Sequence, residues 1–188
     1  MRVLSQVIIA AAILSGGLPT NAAEMYPPMY DAQYIFFTDA GICKVRRTSD
    51  GKGKLREETE TASGRMVKVT DYCSKTVYSI SDAIRLVMKR PLAEPYEGDF
   101  TPEVARTMNA KNLGVKTISG LICQGWSYKK NGVGAEVWVE KDKFFLVKSV
   151  SKSSESNSSM ELKSFSNATP LESLFAFPAN YAIVPVNR

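Results

Sequence analysis

Cys43, Cys73 and Cys123 are the only thiols in a chain that contains no histidine. In an oxidising compartment an odd count permits one disulfide and one leftover thiol, and all three pairings stay open. The spacings form no Cys-x-x-Cys redox pair. Without histidine the usual zinc sets shrink to a three-thiolate site, so a single structural bridge or buried thiols is the expected state. The same absence removes Ser-His-Asp and Cys-His catalysis and the commonest general base near neutral pH.

The acids offer little more. Glu57 and Glu58 are adjacent and point to opposite faces of a strand, while Glu136 and Glu140 flank Trp138 on one face, where exposed polar residues are ordinary. No calcium loop of the Asp-x-Asp-x-Asp-Gly type occurs. Gly51 and Gly53, like Gly132 and Gly134, are turn glycines, because no Lys-Ser or Lys-Thr follows at phosphate-loop spacing. These patterns predict no enzyme, no catalytic residue, no metal and no cofactor. The aromatics Phe36, Tyr78, Trp126, Trp138 and Phe145 remain, all on predicted strands, where an aromatic is core or the lining of an apolar site.

The elements that must position them are mostly β. Gln33 to Thr38 favours a strand, and Gly41 to Arg47 with Leu55 to Glu60 reads as a hairpin around Asp50-Gly51-Lys52-Gly53. That hairpin sets Arg46-Arg47 against Glu57-Glu58 across the strands. A second hairpin joins Arg65 to Thr70 with Lys75 to Ser81, in which Tyr78 and Ile80 share a face. Asp82 to Arg90 fits either a strand or a short helix before Pro91. Thr101 caps the clearest helix, with Pro102 at its first position, running through Val104, Met108 and Lys111 to Gly114. Strands follow at Val115 to Ile122, Gln124 to Lys129, Ala135 to Glu140, Phe144 to Ser151 and Ser159 to Phe165, with Lys129-Lys130 and Lys141-Asp142-Lys143 in turns. Ser149 to Ser159 is serine-rich and reads as a long mobile hairpin tip. Thr169 to Phe175 reads as a short capped helical turn.

Met1 to Ala23 has the form of a signal peptide, with Arg2, an apolar run from Val7 to Leu14, and small residues at Ala22-Ala23. Residues 24–32, with Pro27-Pro28, form an extended lead-in, and residues 33–186 a single domain. The first cysteine lies far beyond the leader, so no lipid anchor is expected. The formal charge of +5 is modest and dispersed, with no basic stripe of the kind that grips nucleic acid. Membrane contact is at most peripheral, and nothing in the residues identifies a protein partner.

Leu113-Gly114-Val115-Lys116-Thr117-Ile118-Ser119-Gly120, Cys123, Tyr128, Glu136-Val137-Trp138-Val139, Leu146-Val147-Lys148-Ser149 and Phe177-Pro178-Ala179-Asn180-Tyr181 together resemble an uncharacterised family of exported bacterial proteins. That family is related to the lipoprotein-localisation-factor superfamily. The resemblance implies a mainly β chain with a minor α component: a single curled antiparallel sheet, a half-barrel, covered by one or more short helices. It implies an apolar hollow, whose lining would fall to Phe36, Tyr78, Ile80, Trp126, Trp138 and Phe145. The expectation is a soluble periplasmic carrier for an apolar or lipid-like ligand or an acylated polypeptide. The alternative is an envelope structural or protein-interaction module with a filled core.

Overall fold

The computed structural model describes residues 26–186 apart from 63, 94, 95, 97, 98, 131 and 155; the leader lies outside the described residues. Twelve strands make one unclosed sheet in the order β12-β6-β5-β4-β3-β2-β1-β11-β10-β9-β8-β7. The first six are β1 (Tyr30–Thr38), β2 (Gly41–Ser49), β3 (Lys54–Thr61), β4 (Gly64–Asp71), β5 (Thr76–Ser81) and β6 (Leu86–Pro91). After helix α1 (Pro102–Thr107) come β7 (Lys111–Ile118), β8 (Leu121–Lys130), β9 (Val133–Glu140), β10 (Leu146–Lys152), β11 (Asn157–Ser166) and β12 (Ala182–Pro185). The described residues group into two compact units, one built from Phe36–Gly41 and Asp99–Glu161, the other from the segments 26–35, 42–98 and 162–186.

The mainly β class and both early hairpins match the sequence reading. The register sets Arg46 opposite Glu58 and Arg47 opposite Glu57, and the Asp50 carboxylate accepts from the Lys52 and Lys54 amides to close the turn. Asp82 to Arg90 resolves into a turn, with Arg85 at φ +51°, followed by β6.

Other expectations need correction. The helix ends at Thr107, because Asn109 takes a left-handed φ of +51° and the chain enters β7 two residues later. Gly114 is therefore no helix stop: at φ +82° it sits in β7 where the pairing with β8 slips by one residue. Helical cover accordingly shrinks to one short helix among the described residues. Lys129 and Lys130 close strand β8 and are not in a turn. Phe144 adopts φ +58°, so Phe145 lies just ahead of β10 and outside the strand. The serine-rich tip narrows to residues 153–156, where the Ser153 hydroxyl accepts from the Ser156 amide, and pairing resumes at Lys152–Asn157. Thr169 caps nothing; the helical turn there is a 3-10 turn at Glu172–Phe175 without a side-chain cap. The sheet is not wholly antiparallel, since β12 pairs parallel with β6.

In the first unit α1 covers one face of β8 and β9. Phe100, Ala105, Tyr128, Ala135, Val137 and Val139 form its core, with Val104, Met108 and Trp126 packed against it. Thr101 starts the helix as expected, its hydroxyl accepting from the Val104 amide at 3.3 Å. Thr101→Ala should cost about 1 kcal/mol, seen as a lower urea midpoint with an unchanged slope.

In the second unit Val67, Val69, Ile80 and Val87 form the core. The segment after β11 closes it: Phe177 packs on Tyr78 with ring centroids 4.6 Å apart, and the Tyr181 hydroxyl donates to Asp82. Arg56 ties the same segment down by donating to the Leu174 carbonyl at 2.8 Å.

Candidate functional site

The first unit's other sheet face, the one turned away from α1, carries an open groove. Pairing alone places its side chains. One row across the strands runs Lys129, Gly134, Lys152; the next runs Ser127, Glu136, Val150; the third runs Gly125, Trp138, Lys148. Residues opposite one another in a pleated sheet share a face. Gly134 leaves the first row without a central side chain, and a Cβ built there would meet only the Lys152 carbonyl at 3.7 Å. The depression that results has a volume of about 650 Å³, lined by Ser127, Glu136 and Val150 together with Lys116, Lys129, Lys148 and Lys152.

Trp138 fixes one end. Its ring lies flat over Gly125, where an added Cβ would come within 2.5 Å of the ring carbons. The indole N–H donates to Glu136, and the Lys116 ammonium sits 3.5 Å from the ring centroid. A cation over an indole face at an exposed site contributes about 0.5–1 kcal/mol. Trp138 is only 5% exposed, so it serves as a wall beside the groove that orients Lys116 and Glu136.

Four lysines against the single carboxylate of Glu136 give the lining a positive field. Lys148 is partly neutralised by Glu161 at 2.8 Å. Tyr128, stacked on Phe100 at 5.4 Å between centroids, has its hydroxyl pushed up to about 12 by burial and stays neutral. Cys123 is a free buried thiol, raised above its ordinary pKa by burial and donating to the Leu121 carbonyl. Cys43 is likewise free and buried, whereas Cys73 is free and exposed, so none of the three pairings forms.

The six residues expected to line an apolar hollow are divided between the two units. Tyr78 and Ile80 belong to the second unit and are covered by its own Phe177 and Tyr181. Phe36 is buried in the first unit. Trp126 packs with the α1-covered core, on the face opposite Trp138, because Trp126 pairs with Val137 while Trp138 pairs with Gly125. Phe145 stands outside the strands. Trp138 touches the groove residues Glu136 and Lys116. The lysines escaped the sequence reading, although Lys148-x-Val150-x-Lys152 and Gly134-x-Glu136-x-Trp138 carry the alternation of two shared faces.

What the fold defines is a mainly β protein with one large unclosed sheet. No protein-family profile matches the chain, and no curated protein matches it. Solved structures do. An uncharacterized conserved protein from Thermus thermophilus matches 84% of this chain and 90% of its own, with a TM-score of 0.65 and 11% identity. MucB matches the same share with a TM-score of 0.55 and 13% identity, and the chain spans 60% of MucB's length. MucB has also been solved in complex with MucA(peri), matching at a TM-score of 0.52. The superfamily named from the sequence occurs among the matches as a LolA superfamily protein from Nitrosomonas europaea, with 11% identity, 81% and 92% of the two chains covered, and a TM-score of 0.36. At these identities the likeness is one of fold.

Proposed function

We propose that this protein is a non-catalytic binding protein of the bacterial periplasm that holds a lipid-like amphiphile or the acylated part of a polypeptide. The carrying observation is the open groove of about 650 Å³, within the roughly 300–1,000 Å³ of small-molecule sites. Val150 gives it an apolar stretch, and the lysine stems extend that stretch while their charges reach water. The periplasmic assignment rests on the leader sequence. Each unit's main apolar cluster is filled by its own side chains, which favours a ligand lying on an open face over one swallowed by an apolar hollow. Of the six residues first considered, Trp138 is the one this reading retains.

The test is native mass spectrometry of the protein purified from a periplasmic extract, followed by displacement of a bound fluorescent fatty acid. Co-purified small mass and saturable displacement are the expected results. A protein that arrives empty and displaces nothing at any concentration would sink the proposal.

A second reading, a protein-interaction module, is favoured by strand β7. It is an edge strand, with Val115 54% and neighbouring Ile122 56% exposed, and such edges accept an added strand. MucB, which shares the fold, binds a protein partner.

A further inference from the structure

We infer that the groove recognises the anionic end of its ligand, a phosphate or carboxylate group, through Lys129 and Lys152, with Lys116 and Lys148 framing the site. The inference rests on the binding proposal above and deepens it.

Lys129 and Lys152 flank Gly134 in one row, two strand spacings apart, so their backbones stand roughly 10 Å from each other. Flexible four-carbon stems let both ammonium groups converge on one anion seated over the glycine. The remaining charges of the groove lining are already engaged: Lys116 on the Trp138 ring, Glu136 with the indole N–H, and Lys148 with Glu161. Among the described residues no ion pair is formed by Lys129 or Lys152, which leaves two like charges bordering a depression that an anion would relieve. Beyond them Val150 continues the floor, which suits an amphiphile whose head sits at Gly134 and whose tail runs away from it. A nucleic acid fits poorly. The aromatic rings of this region, Trp138 and Tyr128, are buried at 5% and 6% exposure and present no open face for base stacking.

The experiment titrates the purified protein with short-chain phosphatidylglycerol below its micelle concentration, with the matching phosphatidylcholine, and with inorganic phosphate, by calorimetry. Phosphatidylglycerol should bind about tenfold tighter than phosphatidylcholine at low salt, the gap narrowing as salt rises. Lys129→Gln/Lys152→Gln should erase that preference, while the charge-matched Lys89→Gln/Arg90→Gln, on exposed residues of the second unit, should keep it. Gly134→Val fills the depression with a strand-favouring side chain that leaves every lysine in place, and it should abolish binding without lowering stability. Inorganic phosphate binding as tightly as the lipid identifies a free anion as the ligand; phosphate that only competes weakly identifies a lipid head group. Equal affinity for the two lipids, or a lysine double variant that binds like the parent, overturns the inference and leaves the binding proposal standing. Silence from all three probes, together with no fatty-acid displacement, overturns both.

Discussion

Glu57→Gln is expected to cost roughly 3 kcal/mol of folding stability, read as a fall in the urea midpoint. Glu57 lies on β3 between Arg47 of β2 and Lys68 of β4, its directly opposite neighbours in the register. Arg47 Nε stands 2.9 Å from one carboxylate oxygen and the Lys68 ammonium contacts the other. The Arg47 and Glu57 side chains are only 19% and 14% exposed, so this is not a solvent-screened surface pair. Removing the carboxylate strands a guanidinium in a poorly hydrated site, and that uncompensated charge dominates the cost. Burial alone would raise the pKa of Glu57, but Arg47 and Lys68 overcome it and hold the group at about 2, below its ordinary 4.5. The folded value lies below the unfolded one, so the stabilisation is complete above about pH 4.5 and is lost as pH falls toward 2. Wild type should therefore lose more stability than Glu57→Gln across that window. Asp31 is lowered by its hydrogen bonds from Arg46, and Glu58, against the upward push of burial, by Arg56 and Arg65; both erode the two proteins alike. Parallel acid titrations in which the two midpoints fall together would refute the assignment.

A comparable loss is expected at Trp138. Trp138→Ala should cost about 3–4 kcal/mol, the range for deleting a large buried aromatic. Gly125→Ala should cost about 2 kcal/mol, because its methyl group would overlap the ring that now rests on the glycine. The two effects share one cause. In the Trp138→Ala background the added methyl enters vacated space, so the double variant should be no less stable than Trp138→Ala alone. Chemical denaturation of the four proteins closes the cycle, and additive losses would show that Gly125 matters for its backbone and not for the ring.

Much of the sheet was legible because alternation writes itself into β sequence. Arg46-Arg47 and Glu57-Glu58 do face each other in the register, but only half of the expected charge pairing follows: Glu57 joins Arg47 and Lys68, whereas Arg46 turns to Asp31 and Glu58 joins Arg56 and Arg65. What stayed hidden depends on backbone conformations that composition does not announce. Pro102 and Thr101 mark a helix start well, but its end is set by a left-handed Asn109, a residue type that also tolerates helix interiors. Strand β12 has too few residues to show a period, and its parallel partner β6 is distant in sequence. The groove was illegible for another reason. Lys129, Lys148 and Lys152 look like ordinary solvated charges until three strands align, and the residue that makes room between two of them, Gly134, looks like part of a turn.

The strand order has a consequence for how the chain reaches this state. Neighbours run consecutively from β6 back to β1 and from β11 back to β7, so each run can zip up through local hairpins. The junction is different: the Asn157 amide donates to the Asp39 carboxylate across 118 residues of sequence. Closing a loop of that length costs about 4 kcal/mol of chain entropy, against well under half as much for a four-residue turn such as 153–156. Strands β1 and β11 each supply residues to both compact units. No single cut in the polypeptide therefore releases either unit whole, and the meeting of these two strands carries a loop-closure cost that the local hairpins avoid.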